Sequence, residues 1–208
     1  MNPSLPCLLG TSCGLLLTPV VARLVRATAR ANVLPRRHVA VIGGWMGTVG
    51  AAAGARPLGV TTAMLAAVAV LGTAAAEVDV LERRLPDRLT GPLALAVAGV
   101  GLLTISQSSE ALQRMAVAAT ITIGTAGLLL LVAPAAMGWG DLKLAPSLAA
   151  ATATISWTCF MSAVGLGAVL LLSTASAEFL RRRNASLVPY GPSLVGAASF
   201  AIGLSTTG

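Results

Sequence analysis

Apolar runs of bilayer-crossing length recur along this chain, and only short polar segments separate them. A helix needs roughly 20 apolar residues to cross the hydrocarbon core, so 208 residues leave room for about eight spans and no separate soluble domain. The expected spans lie near 5–22, 39–55, 58–78, 89–106, 115–136, 144–156, 157–178 and 187–204. Charged side chains are 10% of the total, against roughly a quarter in a soluble domain. The pattern predicts an all-α, polytopic helical membrane protein, one membrane-embedded domain over 1–208. No basic segment precedes the first run, so it reads as a first span rather than a cleaved signal peptide.

The net charge of +7 does not point to nucleic acid. The basic residues sit in clusters between apolar runs, not along one face, and aromatics are too few for base stacking. They read as topology signals facing the anionic lipid of the cytoplasmic leaflet. With the N-terminus outside, the segments 23–38, 79–88, 138–143 and 179–186 become cytoplasmic and hold 12 of the 14 basic residues. Only Arg56 and Arg114 fall outside. The break at Ser156–Trp157 matters here, because merging the two runs would send Arg181, Arg182 and Arg183 to the other side.

Within this frame the segment Met137-Gly-Trp-Gly-Asp-Leu-Lys-Leu144 stands apart. It sets Asp141 and Lys143 between long apolar runs, and a charge at membrane depth costs a few kcal/mol unless it has a use. Gly138 and Gly140 leave the backbone free to bend and let another helix come close. The same topology brings Asp79, at the end of the third span, to the cytoplasmic side. Two adjoining carboxylates cannot both ionise cheaply, so one holds a proton while the other activates water. Charge and topology alone leave two readings open: a catalytic pair, or interfacial acids each paired with a nearby Arg or with Lys143.

The surrounding residues supply more. Val78-Asp79 is followed by Leu85-Pro86-Asp87-Arg-Leu89-Thr90, then by Gly138-x-Gly140-Asp141-x-Lys143-Leu144, and finally by Arg183-Asn-Ala-Ser-Leu-Val-Pro-Tyr-Gly-Pro192. From about residue 60 to the end the chain resembles the type IV prepilin peptidase family, whose members are membrane aspartyl proteases of the GxGD type. The resemblance implies that Asp79 and Asp141 are the catalytic pair, with Gly138, Gly140, Lys143, Pro86 and Asp87 in support. It implies cleavage without metal or cofactor. It further implies a prepilin or pseudopilin substrate, cut at the cytoplasmic face of a prokaryote's inner membrane. Many members also carry two C-x-x-C pairs and an N-methyltransferase activity after the first span. Here that segment is the short Arg-rich stretch from Arg23 to His38 without cysteine, so methylation is not expected.

The remaining polar residues are read more plainly. Glu77 lies on a different helical face from Asp79; two uses are open to it, tuning the site or, the one preferred, pairing with Arg83 or Arg84. Asp87 is expected to cap the fourth span. Lys143 is expected to hold Asp141 or reach headgroups, and His38 to be solvated. Trp45, Trp139 and Trp157 suit interfacial anchoring. Pro146 is placed in the first turns of its helix, where proline is tolerated. Cys7, Cys13 and Cys159 form no C-x-x-C pair, which excludes a zinc knuckle, and read as small core residues. A single histidine gives no Ser-His-Asp set. The rival from another class is a small ion- or proton-coupled transporter using the same acids near mid-membrane on broken helices, with an internal repeat; no repeat is evident.

Overall fold

The computed structural model describes residues 4–29, 34–56, 58–104, 108–132, 138–182 and 190–205, without the side chains of 4–6 and 178–182. Arg30, Pro57, Gln107, Met137 and the stretch 183–189, on which expectations were placed, lie outside the described residues. Among those described, every regular element is helical. Eight helices follow one another: α1 (Ser4–Thr28), α2 (Arg36–Gly54), α3 (Val60–Glu82), α4 (Asp87–Leu103), α5 (Ser109–Val132), α6 (Trp139–Ile155), α7 (Trp157–Arg182) and α8 (Gly191–Leu204). Segments of α1, α3, α5 and α7 are long and apolar enough to cross a membrane. The fold is that of a polytopic helical membrane protein.

Helix α3 is the centre. Of its most apolar window 67% is buried, against 11–22% in the other three long spans. Met64, Leu65, Val68, Ala74, Ala75 and Val78 are buried along it, whereas Leu16 on α1, Leu131 on α5 and Leu172 on α7 face outward. Such outward leucines suit a lipid surround. One turn of α3, Val68–Gly72, is a π turn, which the apolar pattern did not announce. Gly72 in this turn lies against α8: a Cβ there would stand 3.1 Å from Val195 Cγ1. Helices α1 and α2 pair backbone to backbone. A Cβ on Gly14 would meet the Met46 carbonyl oxygen at 2.0 Å, and one on Gly10 the Gly50 oxygen at 2.2 Å. Small residues permit this contact where lipid provides no hydrophobic drive.

The hydrogen bonds fix which helix ends share a side. Arg56, just before α3, donates to the Ile202, Gly203 and Ser205 carbonyls at 2.5, 2.6 and 2.7 Å, closing the C-terminal end of α8. Arg114 near the start of α5 donates to Ala153 and Thr154 at the end of α6, at 3.1 and 3.3 Å, and pairs with Glu110. At the opposite end the last turn of α3 meets the starts of α4, α6 and α8. The expected break at Ser156 is present. Its backbone is extended, α7 begins at the next residue, and the Ser156 hydroxyl accepts the Cys159 N–H at 3.0 Å as a helix N-cap.

Several local expectations are corrected. Helix α6 starts at Trp139 instead of 144, so Pro146 lies in its third turn, inside the helix. Helix α5 starts at Ser109 instead of 115. Trp45 sits in the middle of α2 and packs against the core, whereas Trp139 and Trp157 are exposed. Cys159 is buried, Cys7 is half-buried and Cys13 is exposed.

Candidate active site

Helix α3 ends at Glu82, three residues beyond Asp79. The Arg83 N–H closes on the Asp79 carbonyl at 2.8 Å, and Arg83 takes φ 53°, the left-handed C-terminal conformation usually left to glycine. The chain then turns through Leu85 into Pro86, the extended residue that precedes α4. Helix α6 opens at Gly138, whose N–H donates back to Asp141 Oδ2 at 3.3 Å. That bond fixes the Asp141 side chain against its own first turn.

Three separate segments converge on these two acids. Leu85 lies against Gly140 so closely that a Cβ there would stand 2.5 Å from Leu85 Cβ. Close approach is therefore what requires glycine at 140, and neither Gly138 nor Gly140 has positive φ. The start of α8 supplies the third segment. Gly191 N–H donates to Asp79 Oδ2 at 3.0 Å in a buried contact. A Cβ on Gly191 would stand 2.9 Å from that same oxygen and 3.2 Å from Asp79 Cβ, so this position also admits only glycine. Tyr190, next to it, lies within electrostatic reach of Asp141.

Asp79 and Asp141 are each buried to 6% exposure. Asp141 is in the first turn of α6, ahead of the apolar segment 144–156. Burial pushes its carboxyl up from 3.8 to about 6, the negative charge of Asp79 adds to the rise, and the Gly138 N–H opposes it. The effect of Asp79 shows that the two acids share one electrostatic neighbourhood. Asp141 Oδ1 is buried without a hydrogen-bond partner among the described residues, and such a polar atom calls for a water, a proton or a ligand.

The other expected site residues lie around this pair in different roles. Lys143 does not hold Asp141; its ammonium pairs with Asp87 Oδ1 at 2.6 Å, both side chains being more than half exposed. Asp87 makes no capping bond. It is the first residue of α4, Pro86 precedes it, and its charge still suits the positive helix end. Pro86 is buried. A groove of about 480 Å³ runs beside them, lined by Asp87, Thr90, Leu142, Lys143, Pro146 and Ser147. Glu77 pairs with His38 at 2.8 Å, not with Arg83 or Arg84, and His38 is half-buried in this pair, not freely solvated. Arg84 instead pairs with Glu82 and donates to the Thr28 carbonyl at 3.2 Å. No three His, Cys, Asp or Glu side chains converge as a metal site needs, among the described residues.

Sequence reasoning placed Tyr190 and Gly191 only in a terminal signature and gave neither a site role. The available signal was a glycine at the first position of an apolar helix, where glycine has no conformational use. No curated protein and no solved structure matches the chain. A protein family does: the one described as the type IV leader peptidase family matches residues 65–175, more than half of the 208. The matched stretch carries Asp79, the Leu85–Pro86–Asp87 segment and the glycine–aspartate segment that the fold packs together, and the chain belongs to the type IV leader peptidase family.

Proposed function

We propose that this peptidase is an aspartic endopeptidase that removes the leader of type IV prepilin-like or pseudopilin-like precursors, with Asp79 and Asp141 as its catalytic pair. The observation that carries it is the burial of two carboxylates in one electrostatic neighbourhood, each tied to a backbone N–H, with Asp141 Oδ1 buried and without a partner among the described residues. Two carboxylates so placed cannot both ionise cheaply, so one holds a proton while the other does not. In this reading Asp79, held by the Gly191 N–H, takes the proton of a water as the water oxygen attacks the scissile carbonyl carbon. Asp141 gives its proton to the carbonyl oxygen. Collapse of the resulting diol breaks the C–N bond. Asp79 passes its proton to the leaving nitrogen, Asp141 recovers one from the diol, and an acid and an amine are released.

Both acids sit at the end of the bundle that holds His38, Arg84, Asp87 and Lys143, while Arg56 and Arg114 sit at the other. The positive-inside rule then places the acids at the cytoplasmic face with the N-terminus outside, where a basic leader meets an apolar helix. A transporter reading expects acids at mid-membrane, which this placement at one bundle end does not favour. The test is co-expression with a prepilin-like precursor, read as a gel shift. Asp79→Asn and Asp141→Asn are each expected to abolish leader removal while membrane levels stay at those of the parent. Full cleavage by either variant ends the assignment.

A further inference from the structure

The last turns of α3 carry a second buried carboxylate that the reaction does not use. Glu77 is 8% exposed. Its Oε2 meets His38 Nδ1 at 2.8 Å, across 39 residues of sequence, with side-chain exposures of 10% and 12%. His38 lies in the first turn of α2, so the bond ties α2 to α3. Neither residue belongs to the motifs around the acids. Beside the bond lies a small cavity of about 190 Å³, lined by Trp45, Thr73, Glu77, Pro192 and Val195 among others. Pro192 directly follows Gly191, whose N–H holds Asp79. The tie and the Asp79 contact thus share α8 as a common wall.

The position of the tie along α3 gives it a use. Successive residues of a helix turn by about 100°, so Glu77 and Asp79 point about 200° apart, nearly opposite. Five residues before Glu77 the helix leaves a π turn, Val68–Gly72. A π turn inserts an extra residue into the turn and shifts the facing of everything beyond it. The segment from Thr73 to Glu82 therefore has its rotation set by what grips it after that turn. On one side the grip is Gly191 on Asp79; on the other it is His38 on Glu77. We infer that the His38–Glu77 bond is a rotational lock on the end of α3, making Glu77 and His38 positioning residues that hold the Asp79 carboxylate in line with Asp141. The inference rests on Asp79 being a catalytic carboxylate.

The lock predicts a loss in turnover and not in substrate binding. In the full-length protein, cleavage kinetics of a purified prepilin-like precursor are measured for His38→Ala, Glu77→Ala and Glu77→Gln, with thermal unfolding of each. A misplacement of about 1 Å costs on the order of a hundredfold in rate. His38→Ala and Glu77→Ala are expected to lower kcat by at least about tenfold with KM within about twofold. Glu77→Gln keeps the shape and can still hydrogen-bond to the imidazole, so it is expected to recover most of the rate that Glu77→Ala loses. Parental kcat in folded His38→Ala protein overturns the lock. So does a well-folded Glu77→Gln variant as slow as Glu77→Ala, since that would show the charge to matter and not the position. Should the alanine variants fail to insert, Glu77→Leu beside Glu77→Gln decides: slow cleavage by the folded leucine variant with near-parental cleavage by the glutamine variant upholds the lock, and equal rates in the two overturn it. Asp79→Asn in the same assay separates the two ideas, because an active Asp79→Asn overturns the catalytic pair itself, whereas an inactive one beside fully active His38→Ala overturns only the lock.

Discussion

Asp141 carries a cost that an isosteric neutral side chain at the same place would not. Its carboxyl is buried beside a second acid and rises from 3.8 to about 6. Between those values the folded chain holds a proton that the unfolded chain releases, so stability is fullest below about 4 and falls as pH rises through about 6. Asp141→Asn removes the charge and keeps an oxygen for the Gly138 N–H, at the expense of catalysis. The variant is expected to melt a few degrees above the parent at pH 7.5, and the gain is expected to disappear toward pH 4. Thermal unfolding across that pH range in detergent checks it. A parent no less stable at pH 7.5 than its Asn variant would mean that the carboxylate is better solvated than its burial implies. Strain of this kind, retained at a place where an easy substitution removes it, is what a reacting group shows.

At the scale of elements, the contact that joins the motif segments is Leu85 on Gly140. A Cβ at 140 would have to push backbone-near atoms aside, because the nearest atom is Leu85 Cβ at 2.5 Å and not the end of a flexible chain. Gly140→Ala is expected to destabilise by about 1–3 kcal/mol and to slow leader removal by shifting Asp141 away from Asp79. Leu85→Gly in the same chain removes that Cβ and restores room, and the double variant is expected to recover part of both losses. A double-mutant cycle on unfolding and cleavage measures this, and purely additive effects would place Leu85 elsewhere. The demand for glycine at 138 and 140 was legible in the sequence as a demand for close approach. The partner was not, because nothing in a local pattern says which residue 55 positions earlier will occupy the gap. The same limit hid the His38–Glu77 bond, where nearby arginines offered Glu77 an obvious but unused partner. It hid Gly191 too, whose N–H lies 112 residues from the carboxylate it serves. The π turn left no trace at all, since its residues Val68-Ala-Val-Leu-Gly72 read as any apolar helix. What could be read locally was the series of helices and the break at Ser156, because span length and the side of the bilayer are set by composition and charge.

For the molecule as a whole, the two ends of the bundle differ in the residues gathered at each. Helices α3 and α8 run in opposite directions: Gly191 begins α8 beside Asp79 near the end of α3, and Ser205 ends it beside Arg56 before the start of α3. Helix α6 likewise starts at the acids and ends against Arg114. Every basic cluster except those two arginines falls in the segments assigned to the acid-bearing end, and the insertion machinery reads such a bias as inside. Two exposed positions report it. Leu58, 94% exposed, lies toward the Arg56 end, and Trp139, 71% exposed, lies beside the acids. With Cys7, Cys13 and Cys159 replaced by serine or alanine, Leu58→Cys is expected to react with a membrane-impermeant maleimide in intact cells. Trp139→Cys is expected to react only after the membrane is opened. The opposite labelling would put both acids on the outer face, where a leader still on the cytoplasmic side could not reach them, and the substrate assignment would fall even if the pair cleaves peptides.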